Sequence, residues 1–564
     1  MKTHLSVLLF FAAVFSTYAQ TPQFVGPRAN TYDDPANGVY VSPSGSDSGD
    51  RGAIGAPFKS INAALAKAGA GGTVILRSGY YDEKSSVRIS NPDVTIKSAK
   101  GEWAIIDLPK ESDPDQKWFQ SSTIRFEYNA SGSKLQAVEV TGGFYAVCME
   151  TTWDWGPSYP DRLGVAHVII EDCKLHDSRN DVVKVKPNCK DITVRYNEIY
   201  NSGREHVGHD KFPSGQRNSE GIDNVNGDRM YVHNNYIHDI CSNAIYAKGG
   251  ATDVIIENNR IERTYGGGIN VGFDTSPEYF SIAVNPQYYE NKRGIVRNNL
   301  IIDTGWEGIG LYASEDAQVY NNTIVNATGY GTAASVPIVR SPIYFGIATQ
   351  DEMNPTGCPA NVNPNIHHNV SVQPTASNTR MIEIRYATIN VCTSLGPPLQ
   401  FEPMIISGLS GNPTMSNNCY YVAGGNAIFN DNRPAAVTNM RLSAWQTHIS
   451  GDAGSLEVNP ALNADYMTTN AQCTGKGIQF PLLINPAGID TPSLLTKVFV
   501  SISNGVLSVQ SPVAETIQVY SITGAILFNL QKQEGKASFS INQPKGSILL
   551  LRGNSGWAKK SIVN

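Results

Sequence analysis

The chain has 564 residues, of which 41% are hydrophobic and 17% charged, with a formal net charge of −6. At about 100–200 residues per domain this allows three ordinary domains, or one long repetitive body with an appendage; the composition excludes wholesale disorder, and a pI near 6.0 argues against a nucleic-acid partner held by a basic surface. With 51 Gly and 48 Asn, the turn residues that tolerate left-handed backbone, the sequence reads as short strands and tight turns, not as a helical bundle.

The N-terminus has the pattern of a signal peptide over residues 1–19. Lys2 and His4 form the basic region, Leu5–Phe15 the apolar run, and Thr17-Tyr18-Ala19 a cleavage site before Gln20. That run is too short to cross a bilayer, so a secreted or surface-attached protein without an integral membrane segment is expected. Next, Gly38-Val39-Tyr40-Val41-Ser42 leads to an amphipathic segment containing Ile61 and Leu65, then to Gly72-Thr73-Val74-Ile75-Leu76 and Gly79-Tyr80-Tyr81. The amphipathic segment is expected to be a helix that caps an open sheet end.

From there one unit recurs: a β-run, two Asn-like residues, then a run centred on Ile. Copies are Arg195-Tyr196-Asn197-Glu198-Ile199, His233-Asn234-Asn235-Tyr236-Ile237, Glu257-Asn258-Asn259-Arg260-Ile261, Arg297-Asn298-Asn299-Leu300-Ile301 and Tyr320-Asn321-Asn322-Thr323-Ile324. With a weaker earlier copy, Glu171-Asp172-Cys173-Lys174-Leu175, the second residue of each pair recurs after 24 residues (173 to 197, and 235 to 259) or 23 (299 to 322). Two intervals, 197 to 235 and 259 to 299, are longer by about 15 residues, as if one period carried an insertion. A unit near 23 residues with three short strands is one coil of a parallel β-helix, and equivalent Asn residues would stack with their amides bonded along a column. In Val182-Val183-Lys184-Val185-Lys186 the valines at 183 and 185 would point inward and the lysines outward. The expected fold is therefore all-β: a right-handed parallel β-helix over 20–485. The helix start and the Asn-turn coils resemble the pectate-lyase-like superfamily of secreted β-helix proteins, including family nine pectate lyases and the relatives of chondroitinase B and alginate lyase. The resemblance runs from about Val39 to Leu483. It implies the fold and leaves the substrate open, because this fold hosts lyases, hydrolases, epimerases and adhesins.

A linker is expected at 486–493 and a small β-sandwich-like module at 494–564. Val519-Tyr520-Ser521-Ile522-Thr523-Gly524 and the closing Lys559-Lys560-Ser561-Ile562-Val563-Asn564 resemble the C-terminal sorting domain of the type IX secretion pathway, which implies that secretion machinery as a partner. Gly546-Ser547-Ile548 departs from the Gly-x-Tyr usual there. Eight cysteines in an exported chain permit disulfides, with no CxxC and no zinc spacing; their pairing stays open.

Three long excursions, Thr151–Gly164, Gly203–Glu220 and Phe273–Arg293, flank the strand that precedes the longer turn of each coil. They would wall a groove whose floor is that sheet. Expected catalytic residues on the floor and its walls are Lys184, Lys186, Lys248, His206, His209 and Arg217. Expected substrate contacts are Lys211, Asn224, Tyr246, Asn270, Trp153, Trp155, Tyr288 and Tyr289, the aromatics stacking on sugar rings. Lys186, Asn224 and Lys248 are expected in one stack of the floor, and Lys184 and Tyr246 in another. Glu150, Asp181 and Asp223 are the expected oxygen ligands for Ca²⁺. Mixed lysines and carboxylates suit cleavage of an acidic polysaccharide by β-elimination. A basic group or Ca²⁺ neutralises the uronate carboxylate, and a lysine of lowered pKa removes the C5 proton. In the resembling lyases a lysine base and acidic Ca²⁺ ligands lie on this sheet. A glycoside hydrolase or epimerase on the same fold, using Asp181, Asp223 or Asp274, and a non-catalytic carbohydrate-binding protein are the alternatives. A monomer is expected.

Overall fold

The computed structural model describes residues 21–108, 122–152, 163–203, 219–331, 340–349 and 359–486, apart from 377–378, 393–397, 399 and 435, and stretches between 499 and 562. The expected signal peptide and all but the first residue of the expected linker lie outside these residues.

The coils predicted from the Asn spacing are present. Ile255–Glu257, Arg260–Thr264 and Ile269–Val271, for example, are the three strands of one turn. They belong to three separate sheets of 12 strands each, called here the second, third and first sheet in that order. Neighbouring strands within a sheet come from successive coils and run parallel, except that Val437–Met440 closes the first sheet antiparallel to Ile428–Asp431. Alternation does the sorting: in Val183–Val185 both valines are buried and Lys184 between them is half-buried. The inward rows are aliphatic from coil to coil. In the second sheet, Val194, Val232, Ile256, Val296 and Val319 lie in register and are at most 1% exposed. Each such side chain contributes on the order of 1.5–3 kcal/mol by leaving water, and one core runs the length of the stack.

The two residues of each Asn pair have different tasks. The first takes the left-handed turn: Asn234, Asn258, Asn298 and Asn321 have φ between 52° and 57°, a region asparagine tolerates well. The second is buried. Asn235 Nδ2 donates to Asn259 Oδ1, Asn259 to Asn299 and Asn299 to Asn322, each at 3.0 Å. The column runs from Asn197 to Asn418. Every amide in it therefore finds its partner one coil away, where no water reaches.

Both ends of the stack are closed. The helix Ile61–Ala68, capped by Ser60, buries Ile61, Ala64 and Leu65 against the first coil. At the far end the helix Leu442–Ile449 buries Leu442, Trp445 and Ile449, with Trp445 stacked on Phe429 at 5.6 Å. Each helix shields the apolar core at its end of the stack. Residues 499–562 form two antiparallel sheets of three and four strands around Leu507, Val509, Ile517, Val519, Leu549 and Leu551.

The outside of the third sheet carries two straps that were not apparent from the repeat. The N-terminal strap starts at Gln23–Val25, beside Asn234. It passes Asp172, which Arg28 grips through Nε and Nη2 at 2.8 and 2.7 Å, and reaches Ala99, held by Asn30. The C-terminal strap starts beyond Leu456–Glu457 and returns past His368 and Thr323. Its end, Leu482–Ile484, pairs with Gln23–Val25 in parallel. Val25, Tyr236, Leu300, Ile478 and Leu482 bury one another there.

The third sheet also shows a ring ladder. His176 stacks on Tyr200 at 4.5 Å and Tyr200 on His238 at 5.1 Å. His176 Nδ1 and Nε2 meet Asp177 at 2.6 Å and Glu139 at 3.3 Å. Burial works against a charge on this ring, but the hydrogen bonds to the two carboxylates outweigh it and lift its pKa to about 9. A value raised above the ordinary 6.5 stabilises the fold fully below pH 6.5, and that stabilisation is lost as pH rises through about 9. Melting temperatures of the native protein and His176→Gln are therefore expected to differ most below pH 6.5 and to converge by about pH 9–10; a constant difference across pH 6–10 would argue against it.

Candidate functional site

The site is built on the first sheet, where the outward row is polar. Cys148, Lys184, Asp223, Tyr246 and Asn270 lie in register on five successive strands. This places Lys184 and Tyr246 in one row, with Asp223 between them. The other expected stack is corrected by one residue. Asn224 pairs with Val185 and Ala247 in the inward row, and it is Val225 that lies opposite Lys248. Asn224 is fully buried and braces its own turn, donating to Gly227 O and accepting from Gly227 N, so it is a structural residue, not part of the floor.

Three carboxylates converge at the N-terminal ends of two of these strands. Asp181 stands just before Val183–Val185, and Glu220 and Asp223 sit around the start of Ile222–Val225. One oxygen from each lies within 4.8 Å of the others, and all three residues are at most 1% exposed. Asp181 Oδ1 accepts from the Glu220 backbone N–H at 3.0 Å, and the Tyr246 hydroxyl donates to Glu220 Oε1 at 2.6 Å. Lys184 Nζ donates to Asp223 and faces Asp181 Oδ2 at 3.3 Å. Asp181 Oδ2, Glu220 Oε2 and Asp223 Oδ1 accept no hydrogen bond. One ammonium among three buried carboxyl groups leaves the cluster short of positive charge. Burial accordingly pushes Asp181 well above the usual carboxylate range and raises Glu220, the latter with help from Asp223. Asp223 is also buried, but Lys184 and Lys248 outweigh that and hold it low.

The lysines differ in their partners. Burial opposes the charge on Lys184, but Asp223 and Asp181 more than compensate and drive its pKa well up. Lys186 is likewise raised, since Cys148 and Glu150 outweigh its burial; its Nζ lies 2.6 Å from Glu150. The expectation of a lysine poised as a neutral base is therefore corrected for these two, because each faces anions where a lowered pKa requires cations. Lys248 is placed otherwise. Its Nζ donates to the Asp274 carbonyl at 3.1 Å and lies 4.5 Å from the centre of the Tyr246 ring. Among the described residues no carboxylate lies within 4 Å of it.

Glu150 does not join the carboxylate cluster. Lys186 and Arg125, the latter at 3.0 Å, hold it two strands away from Asp223. Glu220 takes its place in the triad. Read as part of an insertion, Glu220 in fact precedes Asp223 by three residues, as Asp181 precedes Lys184. Aligning those two spacings on successive coils is the signal that would have found it. Tyr246 is 2% exposed and lies under Phe273, ring to ring at 5.0 Å, so it is no open sugar platform. Tyr288 is buried against Phe280, while Tyr289 is half-buried with Lys292 Nζ 5.4 Å above its ring. Asn270 is buried; its Nδ2 bonds Asn243 at 3.2 Å and its Oδ1 accepts nothing. His206, His209, Lys211, Arg217, Trp153 and Trp155 lie outside the described residues. Glu290, missed in the sequence, fixes the excursion after Phe273: its Oε2 accepts from Gly249 N and Thr275 Oγ1, both at 2.7 Å. A groove of about 510 Å³ lies at the opposite ends of the same strands, lined by Asn188, Lys190, Asn226 and Asp228 and by Asn285 and Arg293 of that excursion. The carboxylate triad does not line it.

A hard cation fits the triad: the donors are all oxygen, three of them lack a hydrogen bond, and the set carries excess negative charge. Among the described residues no helix is long and apolar enough to cross a membrane.

Together these features define a right-handed parallel β-helix protein with an acidic cluster on one sheet face. The family model for the right handed beta helix region matches residues 121–336. The chain is similar to the pectate lyase PEL9 of Emericella nidulans, 39% identical over 74 residues, which cover 12% of this chain and 18% of that protein. The chain thus spans less than a fifth of the length of this curated relative. Among solved structures, pectate lyase Pel9A aligns with a TM-score of 0.39 at 16% identity, over 61% of this chain and 77% of that one. The A-module of the mannuronan C-5 epimerase AlgE6 of Azotobacter vinelandii aligns with a TM-score of 0.46 at 12% identity, over 71% and 94%.

Proposed function

We propose that the protein is a secreted lyase that cleaves an acidic, uronate-containing polysaccharide by β-elimination. The observation that carries this reading is the buried triad Asp181, Glu220 and Asp223, with three oxygens lacking donors, near Lys248, which among the described residues has no carboxylate within 4 Å. In this reading Asp181, Glu220 and Asp223 hold Ca²⁺, which when bound neutralises the uronate carboxylate and so makes its C5 proton more acidic. Lys248 takes the C5 proton. The electron pair forms the C4–C5 double bond, and the C4–O bond to the neighbouring sugar breaks, its oxygen regaining a proton from solvent. Lys184 keeps the acidic cluster compact, and the Tyr246 hydroxyl fixes the orientation of Glu220. Type IX secretion through residues 494–564 is part of the same proposal.

The test is incubation of the protein with pectate, alginate, chondroitin sulfate, heparin and ulvan, with Ca²⁺ or with chelator. A rise in ultraviolet absorbance from the 4,5-unsaturated uronate on one of them, lost with chelator, is the expected result. A specific observation favours a second reading: Glu220 is raised and Asp223 lowered, the split that separates an acid from a base or nucleophile in glycoside hydrolysis. New reducing ends without the absorbance would select that reading over elimination. Neither product on any polymer would count against both.

A further inference from the structure

We propose that Cys419 and Cys473 form a disulfide that bolts the C-terminal strap to the last coils of the β-helix. Their sulfurs lie 3.0 Å apart, nearer than unbonded sulfur atoms settle, and both residues are fully buried. Cys419 opens the third-sheet strand Cys419–Val422, and Cys473 closes the short turn Ala471–Cys473 on the strap. The pair therefore lies where the strap meets the stack. Val370 packs with both cysteines, and Val372, Val458 and Leu462 border them. Cys419 Sγ also approaches Val458 O at 3.5 Å; Cys148, Cys173 and Cys189 are directed at Glu150 Oε1, Glu171 O and Glu150 O, at 3.4, 3.1 and 3.5 Å.

The partners are 54 residues apart in sequence, so the bond closes a long loop and removes much of its freedom from the unfolded chain. The strap it anchors has no repeat of its own. Beyond Cys473 it is held to the stack by scattered hydrogen bonds, Lys476 Nζ to Asn417 O and Gly477 N to His368 O at 2.7 Å, Asn321 Nδ2 to Gly475 O at 2.9 Å and Ile478 N to Thr323 Oγ1 at 3.0 Å, before it pairs with Gln23–Val25. Oxidation needs a disulfide-exchanging donor of an oxidising compartment. One cysteine thiolate attacks the donor disulfide, forming a mixed disulfide and expelling one donor thiol. The second thiolate then attacks the protein sulfur and expels the other. Two electrons pass to the donor, and the two thiol protons end on the two donor thiols. Burial of both sulfurs places this step before the strap packs down.

The experiment uses the full chain exported to an oxidising compartment and purified without reductant. It is denatured in the presence of an alkylating agent, digested and mapped by mass spectrometry. A cross-linked peptide pair containing Cys419 and Cys473, separated by reductant, is expected. Both cysteines carrying the alkyl group, or either linked to a different cysteine, would overturn the assignment. Reductant is further expected to lower the melting temperature by about 5 °C and to leave the double variant Cys419→Ser, Cys473→Ser unmoved. Equal melting temperatures for the oxidised and reduced native protein would refute the bolting role.

Discussion

Replacing Asp223 with asparagine is expected to slow release of unsaturated product by about 10²–10³-fold or more. Ca²⁺ is further expected to raise the melting temperature of the native protein and to leave that of the variant unchanged. Asp223 is the carboxylate that the surroundings keep ionised. It sits one strand from Lys184 on one side and from Tyr246 on the other, and one of its oxygens lacks any hydrogen bond. The change keeps the shape of the side chain and removes its charge, so packing should survive while the triad loses an anionic donor. Asp253→Asn is the control. Asp253 pairs with Arg293 on the surface at 2.7 Å, with both side chains about half exposed, and a pair of that kind contributes little. Normal turnover by Asp223→Asn, measured by the same absorbance, would remove the triad from the mechanism.

The largest effect on stability is expected from Asn259→Ala. Asn259 Nδ2 donates to Val232 O, Glu257 O and Asn299 Oδ1, and its Oδ1 accepts from Asn235 N and Asn235 Nδ2, all at 3.0 Å. Alanine leaves the Asn235 backbone N–H unpaired in the core, at about 1–3 kcal/mol, and removes the other bonds of the amide along the column, at about 0.5–1.5 kcal/mol each, for a total near 3–5 kcal/mol. Its neighbour tests the division of labour within the pair. Asn258 holds only the left-handed turn, with φ 57°, so Asn258→Gly is expected to stay within about 1 kcal/mol of the native protein. Denaturant unfolding of both variants measures the contrast; equal losses would mean the column does not carry the load.

The fold was legible because one signal was repeated many times. Each coil restates the same alternation and the same Asn pair, so an error in one copy is corrected by the next. The site offered no such redundancy. The insertion before Ile222 hid the register of that coil. Counting back from the turn then put Asn224 on the floor, where a slip of one residue exchanges inside for outside. The same insertion made Glu220 look like loop. Lys184 was correctly placed facing outward, but its pKa depends on which carboxylates the neighbouring coils bring to it, and that is knowledge of three dimensions. The straps could not be read at all. They have no period, and their contacts, Arg28 with Asp172 or Asn321 with Gly477, join segments more than a hundred residues apart.

Those straps change how such a stack should melt. A solenoid whose coils touch only their neighbours can fray from either end, each coil leaving at its own local cost. Here one strap reaches from the opening coils to the middle and the other from the closing coils to the same place, where Gln23–Val25 meets Leu482–Ile484. A coil at one end cannot come loose without disturbing a junction that also secures the opposite end. Unfolding of residues 21–486 should therefore be a single cooperative transition, and slow-exchanging amides should extend to both terminal coils instead of fading toward them.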